Sequence, residues 1–260
     1  MQVFYKICFM KVIPLSEGAF TVDATKEFIP FDKIKDDLQQ RPKGSLLVEI
    51  QPFAIITSKD IIIIDTGLGF ANERGVLQIH QNLIANGIDP QKVTKVLLSH
   101  LHKDHSRGIS SIDDRQQRQL NFPNATYYVN KHEFEFAKEK GKPSYPLDEL
   151  DILTTSAQVQ WLQGKGVIDN YISYEVTGAH CPFHQVFWIR ENNETVFYGG
   201  DVAPQLIQMK NRFIAKYDFD GRKSMELRQQ WWNEGREQHW TFLFYHDIKT
   251  PFIVSTPGQS

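Results

Sequence analysis

The stretch Ser99-His100-Leu101-His102-Lys103-Asp104-His105 directly follows the largely apolar segment Val93 to Leu98. Length and β-branching predict that segment to be a buried strand. The strand therefore ends in three imidazoles and one carboxylate within six residues. Core packing has no use for such a cluster. A divalent metal does, because imidazole and carboxylate are the donors that zinc and its neighbours accept. His100 and His102 are two residues apart and project to one side of an extended segment. Asp104 and His105 follow where the chain must turn, so they can face a neighbouring position. Four donors from one short loop crowd a single ion that must keep an open position. The spacing therefore suggests more than one metal.

The same pattern recurs outward from this point. Asp65-Thr66-Gly67 follows the apolar run Ile61 to Ile64, and Gly200-Asp201 follows Val196 to Tyr198. His246 follows Thr241 to Tyr245, and His180 and His184 sit in Gly178-Ala179-His180-Cys181-Pro182-Phe183-His184. Leu46 to Thr57 and Asp60 to Asp65 read as a hairpin about Ser58-Lys59. Glu73 to Asn86 has helical spacing, with Val76, Leu77, Leu83 and Ile84 on one side and Gly87 beyond its end. Ala125 to Asn130 reads as a strand and Lys131 to Lys140 as a charged helix. Ile172 to Val176, Gln185 to Glu191 and Thr195 to Tyr198 read as strands, the last two joined at Asn192-Asn193, since Asn tolerates positive φ. Lys223 to Glu237 reads as a helix, with Trp231-Trp232 packing it on a sheet.

Bulk properties exclude some functions. A formal charge of −2 over 260 residues gives no electrostatic case for nucleic acid. Two cysteines, Cys8 and Cys181, do not make a disulfide framework and fit a reducing compartment, so the expected location is cytoplasmic. Met1 to Pro14 lacks the features of a signal peptide, and no run approaches the roughly 18 apolar residues of a membrane span. The expected partner is a small-molecule substrate, with no nucleic acid and no membrane. The oligomeric state stays open, a homodimer included.

The motif His-x-His-x-Asp-His at 100–105, with Asp65-Thr66-Gly67, the His180 segment, Gly200-Asp201 and His246 in the same order, resembles the signature of the metallo-β-lactamase superfamily. The resemblance runs along most of the chain. It implies an α/β fold, an αβ/βα sandwich of two mixed sheets flanked by helices, as one domain over residues 1–260. Stretches about 16–43 and 205–221 would lie over the site as lids, and their aromatics would wall a pocket.

The resemblance also implies roles. His100, His102 and His180 would hold one metal; Asp104, His105 and His246 would hold the other; Asp201 would bridge them. The nucleophile would be a metal-bound hydroxide, with Asp104 and Asp201 the catalytic carboxylates. Asp65 and His184 would orient ligands rather than bind metal. Nitrogen-rich donors favour two zinc ions, with manganese, iron or cobalt as alternatives. The layout is most similar to the branch of N-acyl homoserine lactone lactonases and methyl parathion hydrolase. Pro204 stands where some lactonases carry a tyrosine, and Phe183 replaces a glycine. Cleavage of a lactone or small ester is the leading expectation. A phosphotriesterase or phosphodiesterase, a glyoxalase II-type thioesterase and a silent metal-binding module are the rivals.

Overall fold

Ile61 to Ile64 is apolar on both faces, which suits a strand covered on both sides. The computed structural model describes residues 10–113 and 115–256. In it, this run is β6 (Ile61–Ile64) of a six-stranded sheet. The strand order is β1 (Lys11–Pro14), β5 (Phe53–Ile56), β6, β7 (Lys95–Leu97), β10 (Thr126–Asn130) and β11 (Val159–Leu162). Successive side chains alternate faces. Ile62 and Ile64 pack between two sheets, whereas Ile63 joins Ile79 and Leu83 of α1 (Gln78–Ala85) and Phe134 and Ala137 of α3 (Lys131–Lys140).

The second sheet also has six strands: β12 (Lys165–Ile168), β13 (Ile172–Val176), β14 (Gln185–Glu191), β15 (Glu194–Tyr198), β16 (Thr241–Leu243) and β17 (Phe252–Val254), in that order. Val196 and Tyr198 face the first sheet, while Phe197 packs on Trp231 of α6 (Gly221–Glu237). The result is a helix–sheet–sheet–helix sandwich of mixed sheets. β6, β7 and β10 run parallel, as do β15 and β16. Their following loops therefore collect at one edge, where the candidate site lies. Short elements complete the chain: a sheet of β3 (Ile29–Phe31), β2 (Gly18–Val22) and β4 (Leu46–Ile50), a pair β8 (Ser110–Ile112) and β9 (Arg118–Leu120), and helices α2 (Lys103–Ser106), α4 (Leu147–Leu150) and α5 (Leu206–Lys210).

Several sequence expectations need correcting. The run Leu46 to Thr57 is two strands in different sheets, broken at Gln51-Pro52, where proline has no N–H for a ladder. The helix expected from Glu73 begins at Gln78. Asn72 accepts bonds from the N–H groups of Arg74 and Val76, which holds those residues in a turn. Val76 and Ile84 are exposed, whereas Leu77 and Leu83 are buried together with Ile79. Asn192 and Asn193 do take positive φ between β14 and β15. The stretch 16–43 carries two strands, β2 and β3. Most of the Met1 to Pro14 segment, with Cys8, lies outside the described residues. Among the described residues no helix is long and apolar enough to cross a membrane.

Glu17, just before β2, braces the loop that follows Asp65. Its Oε2 accepts from Leu68 N–H at 2.6 Å, while Oε1 is buried without a partner. Gly67 takes φ +73 there, and a Cβ on it would stand 2.5 Å from the Glu17 carboxyl. Burial pushes this carboxyl up from 4.5 to about 7, against the pull of the Leu68 and Gly69 N–H groups. The folded state thus holds a proton that the unfolded chain releases. That stabilisation is complete below pH 4.5 and is lost as pH rises through 7. Glu17→Gln should flatten the pH dependence of unfolding between pH 5 and 8, by on the order of 3 kcal/mol. Urea titrations of both proteins at the two pH values measure this; parallel slopes would refute it.

Candidate metal centre

Seven donors converge at the sandwich edge in two groups. The first is His100, His102, His180 and Asp201; the second is Asp104, His105 and His246. Each comes from the end of a core strand or the loop beyond it. His100 to His105 follow β7, with Asp104 and His105 in α2. Asp201 lies on a tight turn after β15, and His246 follows β16. His180 lies in the β13–β14 connection. The Asp201 turn needs glycine at 200: φ is +49, and a Cβ would lie 2.5 Å from His184 Nε2. Buried Arg228 of α6 fixes the same turn, donating to the Val202 carbonyl at 2.7 Å.

Asp201 stands between the groups. Its Oδ2 is 3.3 Å from His180 Nε2 and 4.0 Å from His100 Nε2. Its Oδ1 is 3.1 Å from His105 Nε2 and 3.0 Å from His246 Nε2. Asp104 Oδ2 is 3.6 Å from His105 Nε2 and 3.5 Å from His246 Nε2. Tetrahedral zinc with bonds of about 2.0–2.1 Å sets donor–donor spacings of about 3.3–3.4 Å. His105 Nε2 and Asp201 Oδ1 are buried and close, yet neither makes a hydrogen bond. Lone pairs aimed at a common point fit a cation between them.

The far ring nitrogens explain why these lone pairs face inward. His105 Nδ1 donates to Asp65 at 2.8 Å, His246 Nδ1 to the Glu49 carbonyl at 2.8 Å, and His180 Nδ1 to Asp218 at 3.0 Å. His100 Nδ1 donates to Ser99 Oγ at 3.0 Å, whose own proton goes to Asp65. Each acceptor takes the Nδ1 proton and leaves the Nε2 lone pair facing the site, where His100 Nε2 and His180 Nε2 lie 2.9 and 3.3 Å from His102 Nδ1. Asp65 also accepts from Ser99 N–H and the Tyr198 hydroxyl. His184 falls outside both groups. Its Nε2 accepts the Asp201 backbone N–H at 3.1 Å, so it contacts the Asp201 peptide.

Electrostatics divide the groups. Burial, then neighbouring imidazoles, hold His100 and His102 well below the usual histidine range. Burial also opposes charge on His105 and His246, but the Asp201 and Asp104 carboxylates outweigh it and raise both. Asp201 is held well below the carboxylate range: burial opposes this, and His246, His105 and His180 overcome it. Protons in the second group occupy positions that a cation would take, so cation uptake there releases protons.

Asp218 is not among the residues that the sequence leads one to expect at the site, yet it contacts His180 there. The backbone N–H groups of Phe219 and Asp220 bond to the carbonyls of His180 and Ala179, which sets Asp218 against His180. No local pattern announces a pairing across 38 residues. Asp218→Ala should lower metal affinity or kcat/KM by about 10- to 100-fold, typical for loss of a group orienting a ligand. Chelator competition and steady-state kinetics measure it; unchanged values in both would show that His180 needs no such anchor.

Cys181 is buried against Glu133, with Sγ 3.4 Å from its Oε2, and belongs to neither donor group. His80 packs edge-on to Phe122, and His132 lies at the surface beside Glu135. Above the donors opens a cavity of about 280 Å³. Val22, Phe28, Leu46 and Val48 form one wall, and Pro204, Phe213 and Tyr217 another.

The family model described as "Metallo-beta-lactamase superfamily" matches residues 50–238. The N-acyl homoserine lactonase AttM of Agrobacterium fabrum is 31% identical over 122 residues, which cover 42% of this chain and 40% of that protein. The AttM protein of Azorhizobium caulinodans is 30% identical over 119 residues, 41% of this chain and 39% of that protein. Alignment to these relatives thus spans well under half of their length. A probable metal-dependent hydrolase from Staphylococcus aureus has a similar fold, with TM-score 0.76, 19% identity and coverage of 96% of this chain and 94% of that one. So does AidC, a dizinc quorum-quenching lactonase, with TM-score 0.69, 17% identity and coverage of 95% and 90%.

Proposed function

This chain belongs to the metallo-β-lactamase superfamily, and from that premise we propose that it is a dizinc hydrolase opening lactones or cleaving small esters. The observation that carries the dinuclear reading is Asp201, whose Oδ2 faces His180 and His100 while its Oδ1 faces His105 and His246. Two zinc ions held by these donors would supply Lewis acidity for the scissile carbonyl and for activation of water near neutral pH.

The chain's own residues then orient and shield. His100, His102 and His180 form one donor set with Asp201; Asp104, His105 and His246 form the other with the same carboxylate. Asp65, Asp218 and the Glu49 carbonyl lock imidazole orientation, and His184 steadies the Asp201 peptide. The stretches 16–43 and 205–221 serve as walls of a single hydrolase domain, excluding water from an acyl or alkyl group through Phe28, Phe213 and Tyr217. Tyr217, whose hydroxyl accepts from Gln208 Nε2 at 3.3 Å, is the phenol lining the cavity in a chain with Pro204 where some lactonases carry a tyrosine. The lactonase relatives and the apolar walls both support an uncharged scissile acyl group.

The test is a substrate panel on metal-loaded protein: acyl homoserine lactones, aryl esters, a paraoxon-like triester, an aryl phosphodiester, S-lactoylglutathione and a β-lactam. Turnover of a lactone or aryl ester faster than of any β-lactam is expected, together with two zinc ions per chain by elemental analysis. Turnover of the phosphodiester with every lactone and carboxylic ester untouched would replace this reading.

A further inference from the structure

The cavity above the donors is apolar along its walls but not at its mouth. Lys26, in the connection between β2 and β3, and Lys103, the first residue of α2, both line it. Lys103 is held from two sides. Its backbone N–H donates to the Ser144 carbonyl at 2.8 Å, and its Nζ lies 5.6 Å from the centre of the Phe28 ring. Lys26 is near enough to act electrostatically on both Lys103 and His102. Among the described residues neither lysine makes an ion pair. The carboxylates lining the cavity are Asp104 and Asp201, both turned toward the metal donors. Glu27 lies near Lys103 but does not line the cavity.

Asp104 and Glu27 offset part of the Lys103 charge without pairing with it, and two like charges lining one cavity repel each other and attract an anion. Phe28, beneath Lys103, adds an apolar floor for the carbon chain leading to that anion. We propose that Lys26 and Lys103 form a subsite for an anionic group, a carboxylate, sulfonate or phosphate, at the end of the substrate remote from the bond that is cut. This rests on the reading of the centre as an ester or lactone hydrolase. It narrows that reading to substrates with an apolar body, an uncharged scissile acyl group and a negative tail.

The experiment uses metal-loaded protein in two arms. In the first, calorimetry compares hexanesulfonate with hexyl methyl sulfone, a neutral probe of the same chain length. The sulfonate should bind about tenfold more tightly at low salt, and less so as salt rises. The advantage should fall below about twofold in the double variant K26Q/K103Q and persist in K26R/K103R, which keeps both charges. An advantage that is absent, or unchanged in the glutamine variant because the metals alone hold the sulfonate, overturns the proposal. In the second arm, a monoaryl ester of adipic acid is compared with the matching aryl hexanoate. The carboxylated ester should have the lower KM in the native protein, with the ratio collapsing toward one in the glutamine variant. If these esters and every lactone of the substrate panel stay uncut while the lysine-dependent sulfonate advantage persists, the hydrolase reading fails and the anionic subsite stands.

Discussion

Asp201→Asn is expected to lower kcat/KM on any substrate the enzyme accepts by on the order of a thousandfold, while leaving the fold intact. Asparagine keeps the volume of aspartate and its place on the turn braced by Arg228 and His184. It removes the negative charge that faces four imidazoles at 3.0 to 4.0 Å. Two dications held close together repel strongly, and an anion between them is what makes double occupancy favourable. An amide also points a donor N–H at one set of imidazole lone pairs. Zinc content should therefore fall from two per chain to one or fewer. His184→Gln is the comparison, expected to cost about 10- to 100-fold at most, since it acts on the Asp201 peptide. Near-complete loss in both variants, with folding intact, would mean that His184 is itself a ligand. Full activity and two zinc ions in Asp201→Asn would sink the bridging role.

Chelation should abolish turnover and also loosen the fold. The candidate donors are drawn from four different connections of the sandwich, so ions bound there tie both sheets together at one edge. A ligand that binds only the folded state, at a thousand times its dissociation constant, contributes about 4 kcal/mol per site. For a chain of this size that corresponds to a fall in Tm of roughly 10 °C or more on stripping. Thermal scans with and without a chelator, followed by zinc addition, measure the effect. A Tm indifferent to chelation, with metal demonstrably removed, would show that the donors are prearranged without ionic help. Stripping should take up protons as the carboxylate-facing His105 and His246 recover their charge.

Much of the architecture was legible because it rests on local physics. Alternation along Ile61–Ile64 and Val196–Tyr198 gives apolar runs that require cover on both faces, and the structure uses both faces of each. Where tertiary contacts compete with local pattern, legibility stopped. Asn72 captured the residues expected to begin α1, and Pro52 divided a continuous apolar run between two sheets. The sequence does not lead one to expect β1, β2, β3, β8, β9, β11, β12 or β17, and in short segments such as these helix and strand signals overlap.

The sequence by itself determined the candidate donors and their positions at or just after strand ends. Imidazoles and carboxylates clustered after buried strands have little other use, and parallel strands bring their following loops to one edge. Only the tertiary structure decided which oxygen of Asp201 faces which donor set and which acceptor locks each imidazole. The same holds for the Asp218–His180 contact and for the two lysines at the cavity mouth. These are contacts between residues far apart in the chain, such as His246 and the Glu49 carbonyl across 197 positions. Periodicity fixes the face of an element on which a side chain lies; the neighbour it meets depends on how whole sheets and loops pack.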